Sequence, residues 1–299
     1  MSFTTGLKTI VVATDLDGRS DAALEYAGKI AGAYGARVIL AYGLDPMDYA
    51  AVDRVPGRLL NALPQEAREA LEKMSADLML EGIHSHSEIR QGQVAQMLLD
   101  VARQHSAGLI VIGTEGRHGA GPVAVGAVAE QLVRQATCPV LAVAADWNAG
   151  PHRPIPGGPV MLAMEKNEAT AEAVANARSL AEIFQRTLLV VHARTAAEAS
   201  AFLNPCATTL SDFGIAPSVG FPVRCIVKDG SPVEALTNAI EQHHPSILVV
   251  GVKRMSDSPG PHGTAFSVLV RSRVPVLCVP PASEKDATQP EEVIPATAG

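Results

Sequence analysis

Aromatic residues occupy only 4% of the 299 positions, with a single tryptophan among them. So few ring faces leave little on which unpaired bases could stack. Positive charge is scarce as well: 24 Lys and Arg stand against 31 Asp and Glu, giving a net charge of −7, the wrong sign for gripping a phosphodiester backbone. Nucleic acid is therefore not expected as a partner. The four cysteines, Cys138, Cys206, Cys225 and Cys278, form no CxxC pair, which argues against metal or redox use and for reduced, mostly buried small hydrophobes. No apolar run approaches the length of a bilayer span, and Ile10-Val11-Val12-Ala13 runs straight into Asp15 and Asp17 instead of forming a secretory h-region. The expected address is the cytoplasm, without a membrane partner.

What the chain does contain is a regular alternation of short apolar runs and helical periodicity. Residues 7 to 14 read as a buried strand ending at Asp15, followed by a helix with Ser20 as N-cap and Gly35 at its close. Residues 37 to 42 form a second strand. From Asp45 to about Pro64 the pattern weakens into a loop, and Gln65 to Glu81 reads as a helix. A short strand over 87–90, a helix over 94–104, a strand over 109–112, a helix over 127–136 and a strand over 138–143 complete a first domain, 1–148. The Pro- and Gly-rich stretch 149–158 is a linker by composition.

The same order then returns over 159–281. Asp15 to Tyr42 spans 27 positions, as does Glu165 to His192, and Gly92 to Gly113 spans 21, as does Gly230 to Gly251. The offset between copies falls from 150 to 138, so the second lacks about a dozen residues between its second and third strands. Residues 282–299 carry little to bury and read as a disordered tail.

Largely apolar strands alternating with helices imply parallel sheets covered on both faces. In such sheets ligands sit at the carboxyl ends of strands where the winding reverses. With the order 3-2-1-4-5, that point joins Asp15 to Gly113. The segment from Gly113 to Gly126, GTEGRHGAGPVAVG, links a strand to a helix, and its bare main chain and free helix-start amides suit an anion. It is the candidate phosphate cradle. No Walker-A signature and no GxSxG elbow is present, and no acid, base and nucleophile set stands out, so enzymatic activity is left open with the balance against it.

Val11-Val12-Ala13-Thr14-Asp15, the Gly92 and Gly230-Ser231-Pro232 turns, Gly113-x2-Gly116-x9-Gly126 and the closing Cys138-Pro-Val-Leu and Val274-Pro-Val-Leu strands together resemble the universal stress protein family in its tandem form. The resemblance covers residues 7 to 281. It implies two tandem Rossmann-like open parallel five-stranded sheets, order 3-2-1-4-5, with helices on both faces. In that family Gly-x2-Gly-x9-Gly followed by Ser or Thr marks members that bind ATP. Carried over, it assigns Asp15, Gly113, Gly116 and Gly126 to an adenine-nucleotide site, with Gly43 after the second strand grouped beside them. Ala127 stands where the hydroxyl residue belongs. The second copy keeps Gly251, Gly263 and Thr264, but Glu165 replaces the aspartate, Arg254 the second glycine, and the loop is one residue shorter. Pro259 and Pro261 stiffen that loop and remove amide donors. Arg254 or Lys253 could pair with phosphate, although a side chain in place of glycine more simply blocks it, so the second copy is the poorer site.

The plainer alternatives stand beside these. Asp15 also suits a turn carboxylate, and Ser20 and Thr264 also suit N-caps. His84 and His86 alternate along a short strand, but without a third ligand nearby they read as surface residues; His243-His244 closes a helix, where the dipole favours a cation. No metal is expected. Three functional readings follow: a stress-response protein with a degenerate ATP site, a nucleotide-free interaction protein acting through association, and a slow ATP hydrolase. In the family the closing strands of two domains commonly pair, so Val140–Val143 and Val276–Val279 are expected to meet within this chain. A homodimer of chains is compatible with the same reading.

Overall fold

Ile10, Val11 and Val12 fill the centre of the first strand of the computed structural model, β1 (Thr9–Ala13), whose residues are buried up to its last position. The described residues are 6–16, 18–44, 57–114, 126–145, 158–165, 167–194, 222–253, 263–272 and 274–282, with 57–64 described by backbone alone. The linker and the terminal tail lie outside them, apart from Gly158 and Ala282. Helix α1 (Asp21–Tyr34) lays Ala23, Ala27, Ile30 and Ala31 on the sheet and ends at Gly35, whose φ of 65° lets its N–H reach back to the Ala31 carbonyl. Strand β2 (Arg37–Leu44), helix α2 (Gly57–Leu80), strand β3 (Ser85–Gln91), helix α3 (Val94–Gln104), strand β4 (Leu109–Gly113), helix α4 (Ala127–Gln135) and strand β5 (Val140–Val143) follow. The second half gives β6 (Val160–Ala163), α5 (Thr170–Ile183), β7 (Leu188–Arg194), β8 (Val223–Asp229), α6 (Pro232–His243), β9 (Ile247–Gly251), α7 (Thr264–Arg271) and β10 (Val276–Val279).

All ten strands form one sheet, in the order β3-β2-β1-β4-β5-β10-β9-β6-β7-β8. Each half has the expected 3-2-1-4-5 order, and every pairing within a half is parallel. The repeat extends to register. Ile10 lies beside Val38 as Val160 lies beside Leu188, Val38 beside Ser85 as Leu188 beside Val223, and Ile10 beside Leu109 as Val160 beside Ile247.

Between the halves, β5 and β10 pair antiparallel, with Leu141 opposite Leu277. Each would otherwise be an open edge of buried, apolar backbone. The outer strands β3 and β8 carry polar, partly exposed residues instead, as edges that face water do. The helices at the seam also cross it. The fully buried Tyr26 of α1 donates to the Ser246 carbonyl at 3.0 Å, and the Tyr34 hydroxyl bonds Ser179 of α5 at 2.9 Å. Burial pushes the Tyr34 phenol up to about 12, so it stays a neutral hydrogen-bonding group.

Three local expectations are corrected. Helix α2 starts at Gly57, eight residues before the expected Gln65, and includes Pro64. The good helix formers Arg58, Leu59, Leu60 and Ala62 precede the proline and favour a helical backbone through the stretch expected as a loop. Ser20 occupies the N-cap position of α1 but makes no capping bond, because its hydroxyl turns to Asp15. Thr264 is the first residue of α7, and Gly263, at φ 138°, is its N-cap.

Replacing Tyr26 by Phe keeps the ring and removes the donor to Ser246. The expected loss is about 1–2 kcal/mol, read as a lower denaturant midpoint at unchanged slope; unaltered stability would show that the bond contributes nothing across the seam. Cys138 and Cys278 are buried, their thiols raised to about 12 by desolvation, whereas Cys225 is exposed. A thiol reagent at pH 8 should therefore label Cys225 in the native protein and reach Cys138 and Cys278 only on unfolding.

Candidate functional site

In the first half the carboxyl ends of β1 and β4 come together beneath the start of α1. The chain leaves β1 through Thr14 and Asp15, then turns sharply: Leu16 has a φ of 62° and Gly18 a φ of 87°. A left-handed leucine is uncommon and is held here by its surroundings. Its N–H bonds the Thr14 hydroxyl at 3.2 Å, Thr14 bonds Ser20 at 3.1 Å, and Ser20 donates to Asp15 Oδ1 at 2.8 Å. Arg19 Nε lies 3.8 Å from Asp15 Oδ2, and the Asp15 side chain retains 21% exposure. The carboxylate is thus fixed in place and only partly exposed.

Gly113 ends β4 against this turn. A Cβ built there would lie 3.5 Å from the Arg19 carbonyl and 3.8 Å from Ser20 Cα, which is ordinary contact. Asp15 and Gly113, nearly a hundred positions apart, are neighbours. The cradle segment 115–125, including Gly116, lies outside the described residues, but both its ends are fixed: Gly126 N–H bonds the Thr114 carbonyl at 3.1 Å, and Thr114 N–H bonds Val143 at 3.0 Å. Helix α4 therefore starts beside the end of β4. Its N-cap Gly126 brings no side chain to its first amides, and Ala127 occupies the first helical position. Glu130 is the one acid of the first turn, and it pairs with Arg134 at 2.7 Å, one turn towards the C-terminus. The helix start is left suited to an external anion.

Gly43 has a packing reason of its own. It lies within β2 under α3, where a Cβ would fall 2.9 Å from Met97 Cε and 3.0 Å from Val94 Cγ2. A cavity of about 250 Å³, lined in part by Leu99, Arg103, Ala107 and Cys138, lies at the amino ends of β4 and β5, at the opposite end of the strands from Asp15.

The second half repeats the geometry with a tighter glycine seat. Gly251 ends β9 against the turn before α5, where a Cβ would meet Ala169 Cβ at 3.2 Å and Asn167 Oδ1 at 3.3 Å. That turn is locked: Asn167 Oδ1 accepts from Ala169 N–H at 2.8 Å, and the Thr170 hydroxyl accepts from Asn167 N–H at 2.8 Å and donates to the Glu165 carbonyl at 2.6 Å. Lys253 pairs with the Glu165 carboxylate itself. The cation considered for a phosphate is thus engaged with the acid that stands where the first half has Asp15. Arg254, Pro259 and Pro261 lie outside the described residues. A nucleotide bound there would compete with Glu165 for Lys253 and meet a tighter turn, so the second half fits it less well; in the first half Asp15, Gly113 and Gly126 border the cradle segment, and Ala127 lacks the hydroxyl.

Residue spacing pointed to Asp15, Gly113 and Gly126 but not to Ser20 and Arg19 as the groups that hold Asp15, nor to Lys253 as the partner of Glu165. The Asp15-Arg19 spacing of four was a readable signal for the first pair; the last joins residues 88 apart and depends on strands β6 and β9 being neighbours.

Fold and site together define a class: a doubled open α/β sheet whose ligand ground lies where the strand order reverses. Residues 6–144 match the sequence profile of the Universal stress protein family. A universal stress protein of Methanocaldococcus jannaschii is 33% identical over 138 residues, 46% of this chain and 81% of that protein. One from Thermus aquaticus is 32% identical over 142 residues, 46% of this chain and 98% of that protein. The crystal structure of a universal stress protein from Archaeoglobus fulgidus superposes with a TM-score of 0.73 at 16% identity, covering 92% of this chain and 97% of that one, which extends the likeness of fold to both halves. A functionally unknown protein from Pseudomonas aeruginosa PAO1 superposes with a TM-score of 0.65 at 20% identity, covering 93% and 94%. The chain belongs to the universal stress protein family. Among the described residues no helix is long and apolar enough to cross a membrane.

The different tightness of the two glycine seats is testable. Gly251→Ala should cost about 1–3 kcal/mol, because the locked turn cannot yield, and Gly113→Ala less than about 1 kcal/mol. Equal costs by chemical denaturation would show that the seats are equivalent.

Proposed function

We propose that the first half binds an adenine nucleotide, ATP by the family pattern, and that the protein is a stress-response module whose partner surface depends on that occupancy. The reading rests on one observation above all: Gly113, at the end of β4, sits against Arg19 and Ser20, the residues that hold Asp15, and α4 starts beside the end of the same strand. Asp15 would face the nucleoside, while Gly113, Gly116 and the amides following Gly126 would receive the phosphates. Gly43 serves by keeping α3 close under β2. The second half, with Lys253 on Glu165, acts as a nucleotide-free partner that completes the sheet; Gly251, Gly263, Thr264 and Arg254 take no ligand in this reading.

Ala127 weakens the site without abolishing it. A missing hydroxyl bond to phosphate costs about 0.5–3 kcal/mol, whereas the backbone cradle is unaffected. Cytoplasmic residence and a dimer of chains belong to the same proposal, as does the division into domains at 1–148 and 159–281 with a 149–158 linker.

Calorimetric titration with ATP should give heat of binding that Gly116→Trp removes and substitution at Gly263 leaves intact. Ala127→Ser should tighten affinity by about 2- to 100-fold. A flat signal at millimolar ATP would favour the nucleotide-free interaction protein, and loss of binding on altering Gly263 alone would move the site to the second half. Phosphate release above a heat-killed control is what the hydrolase reading requires.

A further inference from the structure

At the edge of the sheet, β3 and the end of α3 assemble three groups that sequence spacing did not join. His86 and Glu88 are alternate residues of β3 and share its α3-facing side, while Ser85, on the other face, bonds Ser75 of α2 at 2.6 Å. His105 is the C-cap of α3, with its N–H bonded back to Val101 at 3.1 Å. The ligand atoms of His86, Glu88 and His105 all lie within 4.8 Å of one another. His105 Nε2 touches Glu88 Oε1, His86 Nε2 lies 3.7 Å from the same oxygen, and the two imidazoles are 5.4 Å apart, tilted by 59°. We propose that His86, Glu88 and His105 form a binding site for a divalent transition ion of the zinc class, with one coordination position left to water or an external ligand.

The donor set suits that ion. Two imidazole nitrogens and a carboxylate oxygen match a borderline-soft cation better than magnesium or calcium. Metal–ligand distances near 2.0–2.2 Å place tetrahedral ligand atoms about 3.3 Å apart, so the set must contract. His86 supplies the movement, since its side chain is 45% exposed at the sheet edge, while Glu88 and His105 are held at 16% and 17%. Arg90 Nε binds the other carboxylate oxygen, Oε2, at 2.9 Å and so orients Oε1 towards the imidazoles. Its charge opposes a cation, but it is also tied back to Gln104 at 2.6 Å, and the C-terminal end of α3 contributes a favourable negative potential.

The internal repeat supplies a control. The Arg90–Gln104 link recurs in the second half as Lys228–Gln242 at 3.3 Å, so that pairing belongs to the scaffold. At the positions of His86 and Glu88, however, the second half has Arg224 and Ile226, and only His243 keeps its counterpart in His105. The scaffold is common to both copies; the ligand set belongs to the first. The expectation of no metal rested on the lack of a third ligand near His84 and His86 in sequence, and folding supplies Glu88 and His105 beside His86. The cluster lies towards the amino ends of the strands, away from Asp15, and is independent of the nucleotide reading.

Zinc chloride titrated into the 299-residue chain against a chromophoric chelator should show one Zn²⁺ per chain that His86→Ala, Glu88→Gln and His105→Ala each weaken by at least about 10-fold. His84→Ala, at an exposed position just before β3, should leave affinity unchanged. Cobalt(II) should give the intense visible absorption of a four-coordinate ion, lost in His86→Ala, whose exposed position keeps the fold intact. No stoichiometric zinc, or zinc binding indifferent to all three substitutions, would overturn the proposal. ATP calorimetry on His86→Ala should match the parent protein, which separates this test from that of the nucleotide site.

Discussion

The antiparallel pairing of β5 with β10 is the constraint on which the rest of the molecule depends. Each half winds its sheet from a polar outer strand inward, β3 or β8, and ends on an apolar strand with one unpaired side. Backbone amides on such a strand must find partners, and a wholly apolar edge would otherwise recruit another chain. Joining the two ends satisfies both edges at once and leaves polar strands as the outer limits of a ten-stranded sheet. The helix layers then become continuous. Residues of both halves share each of the two apolar clusters, one on either face of the sheet. Tyr26, reaching Ser246 across the seam, is a consequence of that continuity.

Duplication explains why two sites exist, and the seam explains why they need not be alike. Once the second half contributes its closing strand and half of each core layer, its carboxyl-end turn is free to diverge provided β6, β9 and β10 keep their register. Asp15 stays partly open, held by Ser20 and Arg19. Glu165, one methylene longer, reaches Lys253 instead, and the turn beneath it tightens against Gly251. The same scaffold thus carries two strand ends whose acids are held in different ways. A similar divergence separates the outer strands, where β3 and α3 gather His86, Glu88 and His105 while β8 and α6 keep the scaffold pair Lys228–Gln242 and, of the three ligand positions, a histidine only at His243.

Much of this was readable because the strands are short, apolar and evenly spaced, so periodicity located them and the equal spacings Asp15–Tyr42 and Glu165–His192 exposed the repeat. The start of α2 is less legible, because the stretch before Gln65 lacks a clear apolar period although Arg58, Leu59, Leu60 and Ala62 are good helix formers. Ser20 and Thr264 look like N-caps by residue type, yet capping is decided by where the hydroxyl finds its best partner. For Ser20 that partner is a carboxylate, and for Thr264 the helix simply begins one residue sooner. The Lys253–Glu165 pair carried no local signal at all.

The sequence by itself determined the alternation of elements, their duplication, the parallel class of the sheet and the positions that end its strands, because hydrophobic period and glycine placement are local properties of a chain. Tertiary structure alone decided which polar groups meet: Lys253 with Glu165, His105 with Glu88, Tyr26 with the Ser246 carbonyl. Those encounters depend on which strands lie side by side and which way a side chain leaves its strand, and a difference of one residue in register reverses the face. Contacts between residues distant in the chain are fixed by that three-dimensional register, and no reading of neighbours along the sequence contains it.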